Sequence, residues 1–267
     1  MKISKLIIGI VLVNLIMASC SNDSKSKKVS DEIDDVAVKD VVDIVDNIPI
    51  ITSYEMINLL NESGAGYIFD ITNPADNIEN YISYKQKAIN LGIYTADLTY
   101  TSTYQKKDET SNYLDNFVEL VNDLEITTLN QSFFESVQNN LDNKDSLVQI
   151  IRNAQSDTYK FLNDTGKDAL ALYAIIGSYV EGLYLIGTTI NFAENKEPLF
   201  KILLKNRKVL VLLIATLDSY EGDGDFGDLK SSLKNINDLF NKVEADKNKE
   251  NVQKLKDEII KFRNSLV

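Results

Sequence analysis

The chain has 267 residues, 44% hydrophobic and 25% charged, with a net charge of −12, no histidine and one cysteine. This is a globular composition with apolar residues enough for a substantial core, and so acidic a balance excludes a nucleic-acid-binding surface, which needs a basic patch. The missing histidines exclude Ser-His-Asp and Cys-His catalysis, His-ligated zinc and Glu-x-x-His di-iron sites, and the single cysteine excludes an internal disulfide, so no metal and no cofactor is expected.

Residues 1–19 read as a secretory signal: Lys2 and Lys5, then an apolar run over 6–17 too short for an ordinary membrane span. It closes on Met17-Ala18-Ser19-Cys20. This looks like a lipobox, the site at which signal peptidase II cuts and the cysteine is acylated, with Met where Leu is commoner. The only cysteine of the chain stands where that motif needs it; the alternative is an ordinary signal peptide with a chance cysteine. Ser21 is not the Asp that retains many lipoproteins at the inner membrane. The resemblance therefore implies a lipid-anchored protein at the outer membrane of a Gram-negative bacterium, facing the periplasm or the surface.

Residues 20–49 have the composition of a flexible tether, with polar and charged residues and no firm periodicity beyond a short amphipathic turn at 36–45. A coil of about 30 residues reaches roughly 30 Å. Residues 50–267 read as one helical-bundle domain. Few prolines and glycines over this length favour helices over a turn-rich β fold.

In chain order, Ser53 caps a short helix stopped by Gly64-Ala65-Gly66, and residues 67–71 form an ordered loop, since no second strand exists to pair with them. Asn73-Pro74 starts a long helix predicted to run to about Lys106. Helices follow over 108–124, 128–141 and 142–162, the last stopped by Gly166. Glu197-Pro198 opens another through Leu217. A Gly/Asp loop at 218–225 precedes two amphipathic helices, 226–243 and 248–266. That loop has the richness of a calcium site but not the EF-hand spacing, so a turn with a helix cap is the expectation.

The centre of the predicted fold is residues 168–192, apolar nearly all round with one charge, Glu181. Such a helix is buried on every side or crosses a membrane. An acid at its middle is costly in lipid. Ala171, Ala174, Ser178, Glu181 and Thr188 share one helical line, and Gly177, Gly182 and Gly187 permit close helix approach. The expectation is an all-α, multi-helix bundle packed around this buried helix.

Two constellations are candidates for a ligand site or a buried polar cluster. Asn90, Tyr94, Asp97, Thr101 and Tyr104 form a polar, tyrosine-rich stripe on the helix after Pro74, beside an apolar stripe that includes Ile89, Ile93 and Tyr100. This is the wall of a cavity, a solvated face, or tyrosines packed with their hydroxyls at the rim. Arg207 interrupts an apolar stripe, and a buried guanidinium needs a mate, expected in Glu181 or Asp97. Arg152 and Arg263 lie on helices read as polar in their surroundings. A Glu181–Arg207 pair is the floor of a charged pocket or an ion pair that fixes helix register.

The segment Ala88-Ile89-Asn90-Leu91-Gly92-Ile93-Tyr94-Thr95-Ala96-Asp97-Leu98, with Glu181-Gly182-Leu183-Tyr184, resembles a family of helical lipoproteins of Bacteroidetes. The likeness covers about residues 50–267, and it implies fold and location without an activity. Three functions follow as expectations. The first is a membrane-anchored lipoprotein with a non-enzymatic binding or structural role in the cell envelope, its partner a protein or glycan. The second is a small-molecule binding module lined by Tyr94, Asp97, Tyr100, Glu181 and Arg207. The third is a hydrolase using Asp97 and Glu181 as paired carboxylates.

Overall fold

The computed structural model describes residues 63–267. The readings placed on residues 1–62, namely the signal, Cys20, the tether and the helix after Ser53, lie outside the described residues. Those described form nine α-helices and one short 3-10 helix, with no strand. The fold is an all-α bundle.

A 3-10 helix, Ala75–Asn80, leads into α1, Tyr84–Thr103. The expected single helix from Pro74 to Lys106 is thus broken. Ser83 accepts the Gln86 N–H on its side chain while the Gln86 side chain accepts the Ser83 N–H, a capping box that starts α1 afresh. Asn73 does not cap; its side chain is drawn inward, as described below. α1 stops at Thr103 because Gln105 turns into the left-handed region at φ 55°.

α2, Lys107–Asp123, buries the expected face of Tyr113, Phe117, Leu120 and Val121. α3, Gln131–Asn139, is capped by Asn130, and α4, Lys144–Asp164, by Asn143. Gly166, at φ 73°, makes the turn into α5, Asp168–Thr189. The predicted helix through Leu217 is two: α6, Lys196–Lys205, and α7, Arg207–Ser219, with Asn206 between them. The Asn206 carbonyl accepts the buried Tyr179 hydroxyl at 3.0 Å, so the break is pinned to α5. α8, Gly227–Ala245, and α9, Lys249–Asn264, complete the bundle.

α5 is long and apolar enough to span a bilayer, but most of its apolar stretch is buried against the chain's own helices. Its chief neighbour is α1. The two cross backbone to backbone: a Cβ on Gly92 would lie 1.9 Å from the Ala174 carbonyl oxygen, and one on Gly177 would lie 2.0 Å from that of Ile89. Gly177 thus provides close approach; Gly187 does not, since a Cβ there meets open space. The contacts 89 to 177 and 97 to 181 advance together, so α1 and α5 run parallel. α2 flanks α1, α4 touches both, and α9 lies antiparallel on α5 with α8 and α7 outside it.

The bundle therefore has two central helices. α1 is buried on all sides from Ala88 to Thr103 although its sequence is far less apolar than that of α5. Its hydroxyls are satisfied locally. Thr95, Thr99, Thr101, Ser102 and Thr103 each donate to the carbonyl four residues back, at 2.6 to 3.1 Å. Such back-bonding removes the desolvation penalty that would otherwise keep these side chains at the surface.

Candidate functional site

The residues ahead of α1 have no regular structure over 65–74, so their buried backbone groups need outside partners. The tyrosine-rich stripe supplies them together with Tyr100 of the adjoining stripe and Tyr113 of α2. The Tyr100 hydroxyl accepts the Ile68 N–H at 3.0 Å, and those of Tyr94 and Tyr104 donate to the carbonyls of Pro74 and Ala65 at 2.9 and 3.1 Å. Tyr113 of α2 donates to the Asn73 carbonyl at 3.0 Å. The stripe is not a solvated face, and none of its residues lines the groove beside Tyr81 or the one between α2 and α3. It is the surface onto which this segment is fastened, and its hydroxyls point inward. Burial pushes the Tyr94 and Tyr113 hydroxyls well above the ordinary phenol range and Tyr100 up to about 12. They act as neutral donors and acceptors at physiological pH.

Asn73 is the hub of this fastening and is fully buried. Its backbone N–H donates to Asp97 Oδ2 at 3.1 Å. Its Nδ2 donates to the Tyr81 hydroxyl at 2.8 Å and to Asn90 Oδ1 at 3.3 Å. Asn90 Nδ2 in turn donates to the carbonyls of Gln86 and Leu266 at 3.1 and 3.0 Å.

Asp97 and Glu181, both 0% exposed, meet where α1 faces α5. The cation beside them is Arg263 of α9. Its Nε and one terminal nitrogen donate to the two Glu181 oxygens at 2.8 and 3.1 Å, and its guanidinium lies 4.7 Å from the Tyr184 ring centroid. Burial, and then the Glu181 charge, raise Asp97 well above the usual carboxylate range, against the pull of Arg263 and the Asn73 N–H. Burial raises Glu181 too, opposed chiefly by Arg263.

Arg207 is not the mate of Glu181. It sits at the start of α7 and reaches across to α8, where it pairs with Glu244 and Asn241 and donates to Asn237 Oδ1 at 3.2 Å. Its stripe packs on α8, not on the centre of the bundle. Arg263 is 6% exposed, which corrects the reading of its surroundings as polar. A signal for it was present. Leu255, Ile259 and Arg263 are spaced i, i+4, i+8, so the guanidinium extends the buried stripe of the last helix. Asn73, Tyr81 and Tyr113 carried no such signal, because their role depends on what packs against them.

The arrangement is thus a sealed ionic triad, Asp97–Glu181–Arg263, roofed by amides and tyrosines. One groove, of about 640 Å³, is lined by Tyr81, Gln86, Ile89, Leu229, Phe262 and Leu266, among others. Tyr81 separates it from Asn73 and so from the triad. A second groove, of about 450 Å³, lies between α2 and α3. Neither is lined by a member of the triad. Among the described residues no group of three Asp, Glu or Cys side chains is placed to hold a metal ion. Comparison with protein-family models, with curated proteins and with solved structures gave no match.

Proposed function

We propose that this chain is a lipoprotein, anchored through acylated Cys20 in the outer membrane of a Gram-negative cell, with a non-enzymatic binding or structural role in the cell envelope toward a protein or glycan. The observation that carries the anchor is the lone cysteine at the end of a lysine-led apolar run. The burial of Asp97 and Glu181 counts against the paired-carboxylate hydrolase. Two-carboxylate glycoside hydrolysis needs carboxyl groups about 5–10 Å apart on either side of an open cleft. Here Asp97 and Glu181 adjoin each other inside the bundle and have no exposure. Both carboxyls are engaged inside the fold, which leaves the outer surface for recognition.

Membrane fractionation tests the anchor. Cys20→Ala is expected to leave the membrane fraction or to stall as the unprocessed precursor. A variant that is processed normally and still sediments with membranes overturns the reading.

A small-molecule site is the second reading, and it moves to different residues. The groove beside Tyr81 has the volume of a ligand pocket, roughly 300–1,000 Å³, and a mixed apolar and amide lining. A ligand there is expected to raise the urea midpoint with the logarithm of its free concentration once that exceeds Kd.

A further inference from the structure

The triad has one charge too few and one donor too few. Glu181 receives both of its hydrogen bonds from Arg263. Asp97 Oδ2 receives the Asn73 N–H, but Asp97 Oδ1 is fully buried and faces no donor. The carboxyl beside that of Asp97 is the one of Glu181. With both acids ionised, two negative charges would face each other beside a single guanidinium, cut off from water. Among the described residues the surroundings offer no second cation. Around Asp97 stand Glu181 and Tyr184 from α5, Arg263 from α9, Tyr113 from α2, Tyr81 from the segment ahead of α1, and Tyr94 and Tyr100 of α1 itself. From α4, Gln155 and Tyr159 turn instead to Ser178 and Ala174.

We infer that Asp97 is a neutral carboxylic acid in the folded protein at neutral pH, and that the proton it donates to Glu181 latches the two central helices together. One proton on Oδ1 supplies the missing donor, cancels the surplus charge and turns a repulsion into a charge-assisted O–H···O⁻ bond. It belongs on Asp97 because the guanidinium fork holds the negative charge on Glu181. The latch closes a contact that the glycines have already made as close as backbones allow. It also makes the bundle responsive to base, since losing this proton leaves a buried, unpaired negative charge between α1 and α5.

The sign of the pH dependence follows. The unfolded chain releases the Asp97 proton near the ordinary value of 3.8, whereas the folded chain keeps it to much higher pH. The folded state therefore binds the extra proton, and the stability it contributes is full below that ordinary value. It declines as pH rises and is lost through the folded value. This is opposite to the behaviour of a salt-bridged surface carboxylate.

Two measurements on the full-length chain in detergent test the latch. Infrared spectroscopy in heavy water at about pH 7 is expected to show the C=O stretch of a protonated carboxylic acid. Carboxyl-labelled aspartate should shift that band, and Asp97→Asn should remove it. Urea midpoints over about pH 5 to 10 give the second readout. Asn keeps one acceptor oxygen for the Asn73 N–H and offers an N–H where the acid offers its O–H, with one N–H to spare, so Asp97→Asn is expected to stay folded and to lose the part of the alkaline decline that belongs to Asp97. Asp97→Ala, which strands the Asn73 N–H, is expected to melt earlier than Asp97→Asn throughout. A wild-type spectrum without the aspartate band, or wild-type and Asp97→Asn midpoints that run parallel with pH, overturns the inference. So does an Asp97→Asn chain that fails to fold.

Discussion

Glu181 and Arg263 show how much rests on a single pair. Both are buried, and each is the other's principal partner. Removing one leaves the other charged and without compensation, which typically costs about 3–5 kcal/mol. Glu181→Gln and Arg263→Met are each expected to lose that much in urea denaturation. Glu181→Leu combined with Arg263→Met should lose less than the two singles together, because no charge is stranded and only the Asp97 hydroxyl is left without its acceptor. A double variant as unstable as the sum of the singles would mean that the pair is not coupled. Arg207 is the control. Its partner Glu244 is well exposed, so Arg207→Met is expected to cost about 1 kcal/mol or less. The two arginines look alike in the sequence, each set into an apolar stripe. Their difference arises from position: Arg207 opens a peripheral helix, whereas Arg263 reaches the helix at the centre.

At the scale of elements, the fold turns on how closely α1 and α5 approach. A methyl group at Gly92 or Gly177 would strike a backbone carbonyl, which cannot swing aside as a side chain can. Gly92→Ala and Gly177→Ala are each expected to destabilise by about 1–3 kcal/mol or more. That outweighs the roughly 1 kcal/mol by which Ala exceeds Gly in a helix. The double variant should lose less than the two singles together, since helices already pushed apart accept the second methyl more cheaply. Gly187, on the same helix, has open space beside it. Gly187→Ala is therefore expected to stabilise by up to about 1 kcal/mol. Thermal or urea melts of the four chains separate close approach from helix propensity. Ser83→Ala, which breaks the box that begins α1, should cost about 1 kcal/mol.

Across the whole molecule, stability is concentrated where burial is. α1 and α5 are enclosed nearly throughout, whereas α3 buries only Val137 and α6 only Leu199 and Leu203. Native-state hydrogen exchange is expected to find the amides of α1 and α5 opening only with global unfolding, and those of α3 and α6 exchanging first. Equal protection in all helices would contradict this gradient. The sequence by itself determined the class of the fold and most of its helices, because caps, stop glycines and apolar periodicity are local. Asp108-Glu109, Gly166 and the stripe through Leu229, Leu233 and Ile236 need no knowledge of distant residues. It also determined that the stretch 168–192 holds a central helix, which ends at Thr189, since a helix apolar all round with one acid has few other places to go. Only the tertiary structure decided that α1 is a second centre, because whether a threonine-rich helix is buried depends on hydroxyls bonding back along their own turn. It alone decided that the mate of Glu181 is Arg263, 82 residues away, and that Asp97 shares their site. A buried charge announces that it needs a partner, but the choice among arginines is made by which helices pack together.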